Sequence, residues 1–315
     1  MMPPGPLPSI RNCVLQPGLV AEIIEAQFPE LRSPDVSYLG EGYDSTAFEV
    51  NEALVFRFPK RADVEAQLFI ETAILPRLAQ RSPVPIPEFS FHGRPSARFP
   101  RHFIGYPKLP GIPGISLSLD ESQLLDLGPA LGGFLSFLHS FPAESAKECG
   151  VPECAPETLI EEIRKEALSD LNVVTHVGLD ALEDPLWALF NARVAAGEMN
   201  LVTPTLVHRD LAAEHILLDP ASKRITGIID WSEISISDPA IDFAGVFHWG
   251  GLDFTNAVLS HYQERVDDRI SERARLLAAA RGIGDIVFGL KTHQQEYIDS
   301  GVRALRYCVT HEERM

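Results

Sequence analysis

Long apolar runs are absent. Nowhere do roughly 18 apolar residues follow one another, the length a membrane-spanning helix needs, so no span is expected. The opening residues MMPPGPLPSIRNC lack the apolar core of a secretion signal, which points to a cytoplasmic location. Cysteine is scarce: Cys13, Cys149, Cys154 and Cys308 are too few in 315 residues for a disulfide framework. Cys149 and Cys154 lack metal-site spacing, so reduced, structural thiols are expected. Internal repeats and low-complexity segments are missing as well. Cations are in deficit, with 27 Lys and Arg against 44 Asp and Glu and a net charge of −17. Residues 1–110 hold 11 cations and 12 anions, whereas 111–315 hold 16 and 32. An acidic second part repels nucleic acid and attracts cationic ligands, although solubility alone explains acidity in most proteins.

What is present suffices for a large core: 45% of the residues are hydrophobic, and the length suggests two domains or lobes. Residues 19–28 have helical periodicity, bounded by Pro29 and Pro34. VSYLGEGYDSTAFEVNEALVFRFPK reads as strand, glycine loop, strand, a turn at Asn51-Glu52, and strand. Gly40 and Gly42 let backbone approach a phosphate, and Ser45 and Thr46 can add hydroxyl donors; hairpin turns use the same residues. No helix opens directly after the loop, which argues against a Rossmann site. Arg57 in LVFRFP is either a phosphate-binding cation or an exposed strand residue, with Lys60 a competitor beyond the strand end. Residues 63–80 form an amphipathic helix with Leu68, Ile74, Leu75 and Leu78 on its apolar side. Glu71 in that helix either pairs with Arg57 or is solvated. HFIGYPKL closes a small antiparallel sheet and leads out as an extended segment. There the Pro107 carbonyl and Leu109 N–H can face a base edge. Gly111, Pro113 and Gly114 mark the boundary.

From residue 120 the pattern turns helical. Leu124, Leu127, Leu131, Phe134, Leu135 and Leu138 share one face of a helix that His139 ends. Further helices are read at PETLIEEIRKEALSDL, DPLWALFNARVAA, 254–266, 271–290 and 294–308. The expected architecture is α+β: an N-terminal lobe with a small antiparallel sheet and hinge over 1–110, then a mostly helical lobe over 111–315.

The chemistry concentrates in LVHRDLAAEHILLDPASKRITGIIDWSEISISDPAIDFA, residues 206–244. TLVHRDLAAEHILLD reads as strand, loop, strand; its loop presents Asp210, and His215 begins the next strand. RITGIIDW returns and ends in Asp230. Phosphoryl transfer from a nucleotide needs a carboxylate near the attacking hydroxyl and ligands for a divalent cation. Imidazole and carboxylate facing each other can chelate one; Mg²⁺ prefers oxygen, and zinc stays open without a third placed ligand. His208 is expected to order the loop through backbone bonds. Asp238 reads as a helix N-cap before Pro239, and Asp242 as a first-turn carboxylate, both structural. Asp, His at +5, Asp at +20 after an apolar strand, then DPxxD, is specific as a set.

HRDLAAEH, IIDWSE and DPAIDFA resemble the aminoglycoside phosphotransferase family, antibiotic kinases with a protein-kinase-like fold. His at the second metal position is similar to the 2″-phosphotransferase and macrolide phosphotransferase branches. GEGYDSTAF, VFRFPK, IETAILPRL and FIGYPKLPG resemble the nucleotide lobe, in order, and the likeness runs from about residue 36 to 250. The resemblance implies Asp210 as the catalytic residue and His215 and Asp230 as Mg²⁺ ligands. It also implies ATP or GTP as donor, held by Gly40, Gly42, Ser45, Thr46, Arg57, Glu71, Pro107 and Leu109. Arg57 stands where the family usually has Lys, which bears on nucleotide affinity. A protein kinase is disfavoured: only residues 231–237 separate Asp230 from the DPAID helix, and Trp231-Ser232 replaces Phe-Gly. The expected acceptor is a small molecule, an aminoglycoside before a macrolide or other alcohol, and a monomer is expected. A non-catalytic nucleotide-binding protein is the remaining alternative. Acceptor contacts would come from 150–200 and 250–310, with Glu264, Asp267 and Asp268 as candidates or as a solvated helix face.

Overall fold

The computed structural model describes residues 15–42, 44–191 and 202–309. The Pro-rich opening, Cys13 and the last residues of DPLWALFNARVAA lie outside the described residues. The chain forms two compact units, Met1–Leu68 with Phe89–Lys108, and Phe69–Glu88 with Leu109–Met315.

In the first unit, α1 (Pro17–Gln27) precedes a hairpin of β1 (Val36–Glu41) and β2 (Ser45–Val50), then β3 (Leu54–Pro59). Asn51 and Glu52 turn the chain at φ 54° and 57°, where a short polar side chain is tolerated. The chain passes to the second unit within α2 (Ala62–Ala79), and β4 (Phe91–Gly93) and β5 (Phe103–Pro107) complete an antiparallel sheet of order β1-β2-β3-β5-β4. Alternation along β3 decides its two faces. Phe56 and Phe58 point toward α1, where Val20, Ile23 and Ile24 are buried with Phe48 and Phe103. Phe58 stacks on Phe103 at 4.5 Å. The opposite face carries Val55, with Leu68, Ile104 and Tyr106.

The second unit is mostly helical. Its first strand, β6 (Ile112–Pro113), follows Gly111 at φ 106°. Then come α3 (Glu121–Leu125), α4 (Gly128–His139), α5 (Ala143–Glu148), α6 (Pro156–Asp170), α7 (Val173–His176) and α8 (Glu183–Asn191). The strands β7 (Thr205–Val207), β8 (Ile216–Leu218), β9 (Ile225–Ile228) and β10 (Ser235–Ser237) precede α9 (Ala240–Leu259), α10 (Ile270–Thr292) and α11 (Gln295–Val309). β6 is the third strand of a β6-β8-β9 sheet, so the boundary segment is paired structure rather than a bare connection. β7 pairs with β10.

Two helix readings are corrected. The face from Leu124 to Leu138 is split into α3 and α4, because Gly128-Pro129 starts a new helix in place of continuing the old one. The helix read at 254–266 belongs to α9, which kinks at Gly251 (φ 70°) and stops at Leu259. Tyr262 mimicked helical periodicity because it is buried against Phe243, its ring edge-on at 5.2 Å, not because the helix goes on.

Arg273 of α10 ties this region together. Its guanidinium reaches fully buried Asp238 at 2.6 and 3.1 Å and Asp267 at 2.7 Å. Asp267, a candidate acceptor contact, is therefore committed to Arg273. Its bond to the guanidinium holds the carboxyl below the usual range. Arg273→Ala, which leaves Asp238 buried and unpaired, is expected to cost about 3–5 kcal/mol in urea denaturation. The Asp267 contribution is present above the ordinary carboxylate value of 3.8 and lost as pH falls through its lowered value, so Asp267→Asn should flatten the acid limb of the stability profile.

Candidate active site

The loop after β7 is held by one carboxylate. Asp242, fully buried in the first turn of α9, accepts the His208 N–H at 2.9 Å and the Arg209 N–H at 2.7 Å. His139 meets it at 3.1 Å, and Tyr262 closes the chain at His139 Nδ1, 2.9 Å away. A carboxylate only accepts, so the His139 proton at Nε2 points to Asp242. Arg209 sits at φ 71°, a conformation an L residue adopts only when its surroundings enforce it. Asp238 and Asp242 are structural, as the sequence suggests. So is His208, whose Nε2 donates to the Ile229 carbonyl at 3.0 Å; burial pushes its pKa down and keeps the ring neutral. α9 approaches the loop so closely that a Cβ on Gly245 would lie 1.4 Å from the Leu211 carbonyl oxygen.

Asp210, His215 and Asp230 converge at the end of the β8–β9 hairpin. His215 Nδ1 lies 2.7 Å from the Asp210 backbone oxygen. A carbonyl cannot donate, so the proton sits on Nδ1, and Nε2 is directed toward Asp230, whose Oδ2 is 3.6 Å away. Asp210 Oδ2 is 3.5 Å from His215 Nδ1. Burial alone would lower the His215 pKa, but Asp210, Asp230 and Glu214 outweigh it and raise it. Asp230 adopts φ 61°, and Ser232 Oγ donates to its Oδ1 at 3.1 Å. Trp231 is fully buried and its indole N–H bonds the Ile228 carbonyl at 3.1 Å, anchoring the segment after Asp230.

One Mg²⁺ fits this donor set. Among the described residues no group of three or more His, Cys, Asp or Glu surrounds a common point. A bare imidazole nitrogen and a carboxylate would leave most positions to phosphate oxygens and water, which is how Mg²⁺ is usually held. A structural zinc site, with four protein ligands, does not fit.

A cation absent from the sequence reading completes the group. Arg281 of α10 donates from Nη1 to Asp210 Oδ1 at 2.6 Å and from Nη2 to Glu214 Oε1 at 2.5 Å. Burial would raise the Glu214 pKa, yet the Arg281 charge beside it holds the carboxyl well below the usual carboxylate range.

In the first unit, Gly40 is a β1 residue opposite Ala47, next to a register shift, and Gly42 donates its N–H to the Ser45 carbonyl at 3.1 Å. The glycine segment is thus a tight hairpin. A side chain at Gly40 or Gly42 would meet open space, so bareness there is not required by packing. Lys60 Nζ reaches the Gly42 carbonyl at 2.5 Å, and Arg61 reaches Asp44 at 2.7 Å. Thr46 faces Phe58 across the ladder. Arg57, opposite Ala47 and Ile104, is 9% exposed, which removes the exposed-strand reading. Pro107 is exposed at the end of β5. In the second unit, Glu71 is 2% exposed and so is not a solvated helix charge, and Leu109 packs on Gly227.

A model of the phosphotransferase enzyme family matches residues 35–278. The chain belongs to that family. Viomycin phosphotransferase of Streptomyces vinaceus is 24% identical over 266 residues, covering 82% of this chain and 85% of the relative. The uncharacterized protein YcbJ of Bacillus subtilis (strain 168) is 26% identical over 264 residues, covering 80% and 82%. Among solved structures, the GDP and kanamycin complex of APH(2")-IIia superposes with a TM-score of 0.73 at 28% identity, covering 94% of this chain and 99% of that one. Macrolide 2'-phosphotransferase type I shares the fold, with a TM-score of 0.62, 19% identity and coverage of 91% and 96%. The α+β, protein-kinase-like fold expected from the sequence is the one this phosphotransferase adopts. No described helix is long and apolar enough to cross a membrane.

Sequence reading missed three residues that shape this phosphotransferase's loop: Gly245, Glu214 and Arg281. Glu214 carried a usable signal, since it precedes His215. Arg281 carried none, because its partner Asp210 is 71 residues away. Gly245→Ala would drive a methyl group into the Leu211 backbone. It is expected to lower the melting temperature and displace Asp210; an unchanged thermal melt would show that the loop yields freely.

Proposed function

We propose that the protein is a nucleotide-dependent O-phosphotransferase that moves the γ-phosphoryl group of ATP or GTP to a hydroxyl of a small molecule, an aminoglycoside or similar cationic antibiotic foremost. The observation that carries the reading is the convergence of Asp210, His215 and Asp230 on one hairpin end. The names of the relatives, viomycin phosphotransferase and the GDP and kanamycin complex of APH(2")-IIia, support the acceptor class and the nucleotide donor.

In this reading chemistry is positioning and electrostatics. Asp210 aligns the acceptor hydroxyl and accepts its proton as the O–P bond forms and the nucleoside diphosphate leaves. His215 and Asp230 would hold Mg²⁺, which would supply charge neutralisation at the phosphates. On the nucleotide, the Gly40–Gly42 hairpin with Ser45 and Thr46 covers phosphates, and Arg57 adds positive charge. The Pro107 carbonyl and Leu109 N–H recognise the purine.

A macrolide or other small alcohol is the second reading, and one observation favours it. Four of the carboxylates of residues 111–315 are engaged internally: Asp238 and Asp267 by Arg273, and Asp210 and Glu214 by Arg281. Those four carboxylates are not free to bind ammonium groups.

Steady-state turnover of MgATP and MgGTP with aminoglycoside and macrolide panels tests both readings. Stimulation by aminoglycosides is expected; stimulation by macrolides alone selects the second, slow turnover indifferent to both panels leaves another small alcohol as the acceptor, and no turnover at all sinks both. Asp210→Ala should lower kcat by about 10²–10⁴-fold while nucleotide binding stays near wild type. Equal loss of both would make Asp210 structural. Asp230→Ala should raise the Mg²⁺ concentration needed for nucleotide binding, by about tenfold or more. An unaltered Mg²⁺ dependence removes Asp230 as a ligand.

A further inference from the structure

The guanidinium on Asp210 has no part in the chemistry described so far. It comes from α10, far from the motifs, and it touches both ends of the segment 210–214. Arg281 Nη1 bonds Asp210 Oδ1 at 2.6 Å and Nη2 bonds Glu214 Oε1 at 2.5 Å. The planar fork fixes the separation of its two nitrogens, so the two carboxylates are held at a set distance. The Arg281 side chain is 21% exposed and that of Glu214 11%, so water competes weakly for these bonds. The fork is itself steadied. Asp285 lies one helical turn further along α10, and its charge acts on Arg281. Asp285 Oδ2 stands 3.0 Å from His248 Nε2 of α9, outside hydrogen-bond geometry but within ion-pair range.

The two oxygens of Asp210 are therefore inequivalent. Oδ1 is taken by Arg281. Oδ2 is 3.5 Å from His215 Nδ1, whose proton is already committed to the Asp210 backbone carbonyl at 2.7 Å. Oδ2 keeps its lone pairs for an incoming hydroxyl. A buried ion pair is a poor source of net stability, so stability alone gives a weak account of a guanidinium placed on this carboxylate. We propose that Arg281 is a positioning residue for phosphoryl transfer: it staples Asp210 to Glu214, fixes the carboxylate rotamer, and presents Oδ2 to the acceptor. This rests on Asp210 being the carboxylate that aligns the hydroxyl.

The test compares wild type, Asp210→Asn, Arg281→Lys and the double variant Arg281→Gln/Glu214→Gln, which leaves no unpaired buried carboxylate at 214. Thermal melts report folding, and a fluorescent nucleotide reports binding. kcat and KM are measured with kanamycin and with water as acceptors. The double variant is expected to bind nucleotide as wild type does and to lose about a hundredfold in kcat, with KM for the nucleotide unmoved. Arg281→Lys, which keeps the charge but loses the fork, should fall between the two. A wild-type kcat in the double variant overturns the proposal. So does a loss confined to KM for kanamycin, which would make Arg281 an acceptor contact. If the double variant does not fold, Arg281→Lys decides: reduced kcat supports the staple and wild-type kcat overturns it. Turnover surviving in Asp210→Asn removes the catalytic reading of Asp210 and the staple with it. A dead Asp210→Asn beside a fully active double variant removes the staple alone. Absence of any wild-type turnover overturns both.

Discussion

The site depends on a single buried carboxylate. Asp242 has no solvent to stabilise its charge, so its charge has to be met by protein donors, and it gathers the N–H groups of His208 and Arg209 together with the His139 ring. That fixes two successive peptide units of the loop and holds Arg209 in a left-handed conformation it would not adopt alone. Asp210 is the next residue, so its position follows from a group 32 places further along the chain. Gly245, one turn after Asp242, lets α9 lie against the same loop at Leu211. A larger residue would separate what the carboxylate joins.

Around this clamp the protein arranges charge in closed sets. Arg273 satisfies Asp238 and Asp267; Arg281 satisfies Asp210 and Glu214. Each set brings α10 to a strand end or loop near the hairpin, and in each the cation lies deeper than an ordinary surface arginine. Removing one partner of such a set exposes the other to an uncompensated burial, which is why these residues are more sensitive to truncation than to joint replacement. Four carboxylates of the second unit are thus engaged inside the protein rather than offered to a ligand.

Much of the site was legible in the sequence because it is local. Asp210 and His215 are five residues apart on one loop, and Asp230 ends the apolar strand of the same hairpin, so spacing and periodicity suffice to bring them together. The same holds for β1 to β3, where alternating apolar residues, the glycine pair and Asn51-Glu52 specify strands and turns without reference to distant chain. Arg57 was only half legible: its position on the strand follows from alternation, but burial at 9% exposure depends on what covers that face.

Other features were decided by tertiary structure. Whether Tyr262 continues a helix depends on a pocket formed by His139 and Phe243, and the periodic apolar residue reads the same either way. The meeting of Arg281 with Asp210 requires the kink at Gly251, the length of α9 and the rotation of α10 to combine correctly; each helical residue turns the side chain by a further 100°, so a small change in any of them points the guanidinium elsewhere. The sequence by itself determined the convergence of Asp210, His215 and Asp230, their order and the hairpin that carries them, because those relations are made by neighbours in the chain. Which cation holds Asp210, and which carboxylates are tied up inside the protein, was decided only when helices distant in sequence packed together.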